Sequence, residues 1–422
     1  MPRPDGVAAQ TAAPKAKAEL TPALVAALAL LSAFGPMSID MYLPAFPTIR
    51  AEFGAGVSEV QLSLTAFMLA FGFGQVFYGP LGDHFGRRPV LIGGILLYLI
   101  TSLLCIRVNG PLELIALRFL QGLSASGPPV MARTMVRDLA ERDRAAQVMS
   151  VLMASVSMAP MLAPMIGSTV MGQFGWRGIF ITLTLFGVVA LLVAVRFLHE
   201  TLSPEHRGPL NFAGILRRFA ELLASRSFVG YALTTGCLFG AMFSFISVSS
   251  FVLIESYGLS PTAYALAFGS TLLAMTVGAT VNSRLTRRHG AEAMLRVITF
   301  LPAVTGVLLI GCGLIEVTTG ALGWIPFIVL AAGLVCSMSF IAPNATACAL
   351  QRYPHMAGTA SSLLGVIQFG CGACFGTAAG ALLGHNIFPM TAFMGAGGIL
   401  SCAAYWFLVR ERKQPYTNGG KD

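Results

Sequence analysis

Gly79-Pro-Leu-Gly-Asp-His-Phe-Gly-Arg-Arg88 separates two apolar runs, residues 60–80 and 89–107. Each is about 20 residues long, the length a helix needs to cross a ~30 Å hydrocarbon layer. Gly82 and Gly86 admit backbone angles closed to other residues, and Asp83 with Arg87 can pair across the turn. The stretch reads as a tight polar turn between two membrane-crossing segments.

Similar runs recur along almost the whole chain. Of its 422 residues, 55% are hydrophobic and only 11% charged, against roughly 45–50% and about 25% in soluble domains. Backbone groups inside a bilayer must pair within their own segment, so the runs are helices. Twelve are expected, near 24–46, 60–80, 89–107, 112–132, 146–172, 178–198, 228–253, 262–283, 294–315, 324–345, 357–384 and 387–409.

The positive-inside rule orients them. With the N-terminus inside, the external loops hold only Arg50, Arg107 and Arg177. The internal loops hold Arg87, Arg88, Arg137, Arg142, Arg144, Arg207, Arg217, Arg218, Arg226, Arg287, Arg288, Arg352, Arg412 and Lys413. Both termini are then cytoplasmic. This pattern also accounts for the +9 net charge, because no aromatic-interleaved basic surface suggests nucleic acid.

Glu200 to Arg226 is the longest polar segment between spans, and its Arg217–Arg226 portion suits a short amphipathic helix at the inner surface. The expected divisions are a disordered tail over 1–22, a six-helix bundle over 23–199, a cytoplasmic linker over 200–226, a second bundle over 227–410 and a tail over 411–422. The halves echo each other: Gly86 matches Gly290 in Asn282-Ser-Arg-Leu-Thr-Arg-Arg-His-Gly290, while Asp83 matches Arg287. Parallel six-helix repeats with a binding site at the midplane are a known transporter plan.

Two charges lie at membrane depth. Asp40, in Ser38-Ile-Asp-Met-Tyr-Leu-Pro44, sits deep in the first run, and such a carboxylate is costly unless protonated, paired or facing water. The plainer reading is a helix-end acid reaching outward, since Pro44 and Pro47 follow closely. Arg118, in the fourth run, needs a counter-charge, carbonyls or water. Asp40 is the available acid and a shared central cavity the expectation; the alternative is a structural Arg118 satisfied by carbonyls.

The eight cysteines lie in or beside apolar runs and read as packing residues, including Cys371-x-x-Cys374, which is not beside a soluble βαβ unit. No catalytic or metal-ligating constellation is visible, and no G-x-x-x-x-G-K-[ST] phosphate loop. In the eleventh run Gly372, Gly376, Gly380 and Gly384 form one stripe suited to close helix packing.

The turn at Gly79 resembles the major facilitator superfamily signature G-x-L-x-D-R-x-G-R-R/K, departing from it at His84. Arg118-Phe-Leu-Gln-Gly-Leu-Ser-Ala-Ser126 resembles that family's R-x-x-Q-G-x-x-A segment. Ala159-Pro-Met-Leu-Ala-Pro-Met-Ile-Gly167 resembles the antiporters' G-P-x-x-G-G motif, with Ala163 and Ser168 replacing its first and last glycines; its prolines should kink the helix, which is also a purely structural reading. With Ser38–Pro44, Trp176-Arg-Gly-Ile-Phe180 and His355–Leu363, the chain over roughly 25–405 is similar to the bicyclomycin-resistance (Bcr/CflA) branch of drug:proton antiporters.

The resemblance implies an all-α integral membrane protein of twelve transmembrane helices in two pseudo-symmetric six-helix bundles. It implies a non-enzymatic, proton-coupled exporter of small amphipathic or zwitterionic compounds in a bacterial inner membrane, working as a monomer without a cofactor. Its partners are the substrate, protons and the lipid bilayer. Asp40 and Arg118 take the proton-coupling role, and Asp83, Arg87 and Asp138 an inner conformational gate. Tyr42, Gln121, Phe239, Met242, Phe243 and Asn344 are the candidates for substrate contact. Alternatives are a proton-coupled transporter of a metabolite or short peptide, or a non-transporting membrane sensor, which would need a larger soluble output domain than the tails and linker offer.

Overall fold

The computed structural model describes residues 21–140, 142–210, 212–320, 322–383 and 386–409. The expected tails, apart from residues 21 and 22, and Gly384 of the glycine stripe lie outside these. Every regular element among the described residues is helical: α1 (Pro22–Ser32), α2 (Phe34–Asp40), α3 (Phe46–Phe53), α4 (Val57–Phe85), α5 (Arg87–Cys105), α6 (Pro111–Ala125), α7 (Gly127–Leu139), α8 (Arg142–Phe197), α9 (Phe212–Ala224), α10 (Arg226–Ser250), α11 (Pro261–His289), α12 (Ala291–Ile298), α13 (Phe300–Thr319), α14 (Trp324–Gln351), α15 (Ala357–Ala381) and α16 (Phe388–Ala404).

Nine of the described helices are individually long and apolar enough to cross a membrane, and the bent pair Pro22–Ser32 and Phe34–Phe53, 41° apart, makes a tenth span. Two more are hidden by local backbone chemistry. Gly175, at φ 68° and ψ −179°, divides α8 into two spans, an angle that only glycine adopts without strain. The step from α6 to α7 at Ser126, just before Gly127-Pro-Pro129, breaks another. The total is the twelve expected. Leucines and valines such as Leu103, Leu185, Leu192, Val304 and Val307 remain about half exposed on the outside of the bundle, the surface a lipid would cover.

The expectation of a tight turn over Gly79–Arg88 needs correcting. Helix α4 runs on through Pro80 to Phe85, and only Gly86 leaves helical geometry, at φ 99° and ψ 153°. Gly82 is helical; its missing side chain makes room for Met131 and the Arg87 guanidinium, which a Cβ there would meet at 2.9 and 3.1 Å. Gly290, between α11 and α12, has nearly the same angles as Gly86, φ 82° and ψ 156°, so the repeat read from the sequence is repeated in the backbone. Pro160 and Pro164 lie inside α8 with helical backbone angles.

The two bundles meet along α4 against α15 and α8 against α11, a symmetric pairing of their second and fifth spans. Gln61, Thr65, Gly72 and Gln75 lie on one face of α4 by the 3.6-residue period. Gln61 donates to the Gly376 carbonyl, Thr65 and Thr377 hydroxyls lie 2.9 Å apart, and Phe71 meets Phe369 edge-on at 5.1 Å. At the same end Arg50 pairs with Glu255 at 2.6 Å and Phe46 packs on Phe251. At the other end, which carries Asp83 and the break at Gly86, the bundles diverge around a cavity of about 840 Å³.

Helix α6 approaches α4 so closely that a Cβ at Gly122 would sit 2.1 Å from the Phe67 carbonyl oxygen, whereas a Cβ at Gly93 would meet nothing within 4 Å. Gly122→Ala is expected to destabilise the protein by about 1–3 kcal/mol, as overpacking typically does, and Gly93→Ala to be near neutral. Thermal unfolding of the purified protein, followed by tryptophan fluorescence, checks the pair; equal melting temperatures would contradict this packing.

Candidate functional site

Asp40 is the last residue of α2, next to the 3₁₀ turn Leu43–Ala45. Helix α8 presses against that break: a Cβ on Gly167 would lie 2.2 Å from the Met41 carbonyl oxygen. The antiporter-like segment and the buried acid are thus packed together. The Asp40 residue is 4% exposed, and no hydrogen bond or ion pair to its side chain occurs among the described residues. From the other bundle, Tyr264 of α11 is within its electrostatic reach.

Arg118 does not pair with Asp40. Its Nη1 donates to Gln121 Oε1 at 2.6 Å and its Nη2 to the Ser38 carbonyl at 3.0 Å. The guanidinium lies over the rings of Tyr42 and Phe67, 4.7 and 4.2 Å from their centroids, contacts worth about 0.5–2 kcal/mol each. Gln121 passes the chain on to Ser102 at 2.7 Å, and Ser38 joins Tyr98 at 2.7 Å. The acceptor is the backbone carbonyl of Ser38, two residues before Asp40, so Arg118 is tied to the same short helix without pairing with its acid.

Asp83, Arg87 and Asp138 do come together. Arg87, almost fully buried, pairs with Asp83 Oδ1 at 2.6 Å and Asp138 Oδ2 at 3.2 Å. The sequence reading missed the fourth member, Glu200. Its carboxylate accepts from the backbone amides of Arg87 at 2.9 Å and Arg88 at 3.2 Å, capping the start of α5. A Cβ on Gly86 would come 2.5 Å from its Oε2, a second reason for glycine there. Thr201 donates to Asp138, and His84 donates to the Gly208 carbonyl at 3.0 Å. The start of the polar segment that looked like a plain linker is wrapped around the Asp83 turn; an acid just after an apolar run gives no sign of this by itself.

The six candidates for substrate contact are dispersed. Tyr42 and Gln121 are buried inside the first bundle, with the Tyr42 hydroxyl 2.9 Å from Ser63. Asn344 bridges Asn282, Thr286 and the Phe340 carbonyl. The Phe239 and Phe243 rings lie 4.6 Å apart, tilted by 40°, and Phe239 meets Phe369 at 5.2 Å, continuing the aromatic contact from Phe71; Met242 is buried. None of the six lines the 840 Å³ cavity, whose wall includes Gln75, Arg133, Arg137, Arg218, His355 and Ser362. Arg133 was overlooked because it lies at the end of the fourth apolar run, where it reads as flanking charge.

At the closed end, Trp176 Nε1 and Arg177 Nη1 both donate to Glu52 at 2.5 Å.

The Major Facilitator Superfamily profile matches residues 28–373. The chain belongs to that superfamily. It is 34% identical over 382 residues to a bicyclomycin resistance protein homolog of Haemophilus influenzae, covering 90% of this chain and 95% of the relative. It is 31% identical to a chloramphenicol resistance protein of Pseudomonas aeruginosa, covering 81% and 80%. Among solved structures, a D-xylose-proton symporter superposes with a TM-score of 0.73 at 13% identity, over 92% of this chain and 98% of that one, which establishes the shared fold. The chain is a multi-pass membrane transporter of this superfamily rather than an enzyme.

Glu200→Ala should cost about 0.5–2 kcal/mol, the usual effect of losing a helix cap, read as a lower melting temperature. An unchanged melting curve would remove Glu200 from the network.

Proposed function

We propose that this transporter exports small amphipathic compounds across a bacterial inner membrane in exchange for protons, with Asp40 as the proton site. The observation that carries the proposal is the isolation of the Asp40 carboxyl: buried, without an ion pair among the described residues, and placed where the first span breaks against α8 and faces α11. A charge there is costly, so its protonation state has to be tied to the arrangement of the bundles. The bicyclomycin- and chloramphenicol-resistance relatives support the substrate class and the direction.

The Asp83 end is cytoplasmic in this proposal, with both termini on that side, and the Arg50–Glu255 end is periplasmic. The arrangement described above is then open to the cytoplasm. Substrate entering from that side displaces the proton from Asp40. Rearrangement of the bundles, residues 23–199 and 227–410, about the linker over 200–226 opens the periplasmic end, where substrate leaves and a proton returns. Two ligands that favour different states, or exclude each other, are sufficient for such coupling. Arg118 acts as a positioning residue, holding α2 by the Ser38 carbonyl. Asp83, Arg87 and Asp138 form the gate, with Glu200 tying the linker to it. The proton gradient is the energy source, no cofactor is needed, and the monomer is the working unit.

Proteoliposomes of wild type and Asp40→Asn, loaded with a pH indicator and challenged with bicyclomycin, chloramphenicol and related compounds, test this. Substrate-dependent proton movement is expected in wild type and absent in Asp40→Asn, which should still bind substrate. Transport without proton movement, or normal coupling in Asp40→Asn, would contradict it.

A further inference from the structure

The cavity between the bundles is unevenly charged. Five of its lining residues are basic or potentially so, Arg87, Arg133, Arg137, Arg218 and His355, and the one acid among them is Asp83. Asp83 is held by Arg87. No carboxylate among the described residues lies within ion-pair distance of Arg133, Arg137 or Arg218.

Arg133 is the most constrained of these three. It is half-buried on α7, on the same helical face as Val130, Thr134 and Arg137, positions three and four residues apart that point the same way. Among the described residues its one hydrogen bond is Nη2 to Gln75 Oε1 at 3.4 Å, at the long limit for such a bond. A guanidinium stays charged and presents five donors in a fork, so most of that capacity is directed at the cavity. Arg118, by comparison, is enclosed by Ser38, Gln121 and two aromatic rings.

The facing wall adds donors. His355, Thr359 and Ser361 surround the start of α15, whose first turn has no side-chain cap, while the Ser362 hydroxyl donates to the Gly358 carbonyl. Gln75 connects the walls: a Cβ on Gly365 of α15 would be 3.5 Å from Gln75 Oε1. An anion held at Arg133 would therefore sit where the two bundles come together. Val130, Met149, Ile215 and Phe219 supply apolar surface beside it.

The geometry points to a carboxylate-recognition site in this cavity, in which Arg133, oriented by Gln75, grips the carboxylate of an amphipathic acid whose apolar body lies on Val130, Met149, Ile215 and Phe219. This refines the substrate class of the proposed exporter and rests on that reading for the direction of transport only. Guanidinium and carboxylate match as a two-bond fork, and the surplus positive charge of the wall disfavours cations. The transporter thus selects amphipathic carboxylates, zwitterions included, over compounds bearing only a positive charge.

The test uses full-length protein in nanodiscs and N-acetyl-phenylalanine against N-acetyl-phenylalanine amide, with the corresponding leucine pair, followed by calorimetry without any proton gradient. Wild type should bind each acid about tenfold or more tighter than its amide, the scale of a charge-assisted hydrogen-bonded pair. Arg133→Gln should bring the ratio close to one, Arg133→Lys should keep part of the preference, and Gln75→Ala should weaken acid binding without abolishing the preference. Failure of both acids to bind, a wild-type ratio near one, or a preference that survives Arg133→Gln would each overturn the site. Should Arg133→Gln fail to fold, the wild-type ratio and Arg133→Lys still decide. Because the readout is equilibrium binding, it separates from the flux assay: an acid transported without proton movement would end the coupling proposal and leave this site standing.

Discussion

A hydrocarbon layer offers no water to polar groups, so each one inside it must find a protein partner or mark a route. Arg118 and Asp40 are opposite answers to that constraint. Arg118 is enclosed by a carbonyl, an amide oxygen and two ring faces, and the chain of hydrogen bonds through Gln121, Ser102, Tyr98 and Ser38 joins α2, α5 and α6. Asp40 is given no such partner among the described residues. The guanidinium holds the backbone two residues before Asp40, so the partnered charge helps to fix the position of the unpartnered one.

The contacts between bundles are unequal at their two ends. At the Arg50 end an ion pair, a glutamine–carbonyl bond, a threonine pair and aromatic packing link α3 to the segment Phe251–Ser256 that follows α10, and α4 to α15. At the Asp83 end the polar groups turn inward on their own bundle: Arg87 binds Asp83 and Asp138, and Glu200 caps α5. One end is fastened across the interface while the other is fastened within one bundle, and the cavity lies at that second end. The polar contacts across the interface can be exchanged for water hydrogen bonds when the Arg50 end opens.

Fold class was legible because hydrocarbon thickness imposes one length on every span, and apolar runs of that length are hard to misread. Gly86 could be recognised too, since a positive φ leaves few alternatives to glycine. What the sequence concealed depends on direction. That two charges lie within apolar runs was readable; that Arg118 binds the Ser38 carbonyl and not Asp40 was not, because Ser38 carries no charge to attract notice. Glu200 and Arg133 were hidden for a related reason: each lies at the margin of an apolar run, where solvated charge is the ordinary explanation. The α4 face of Gln61, Thr65 and Gln75 was visible as helical spacing and would have located the interface with α15 had the polar positions been aligned as carefully as the apolar ones.

The central claim is that the charge on Asp40 and the closure of the Arg50 end are linked. Spin labels placed in the loops at that end, near Gly54 and Gly258, would report it through distance distributions at acidic and alkaline pH in nanodiscs. The account predicts that wild type stays closed in acid and shifts toward longer distances in alkali, as a charged Asp40 seeks water, while Asp40→Asn stays closed at both. The same pH response in Asp40→Asn and wild type would contradict it.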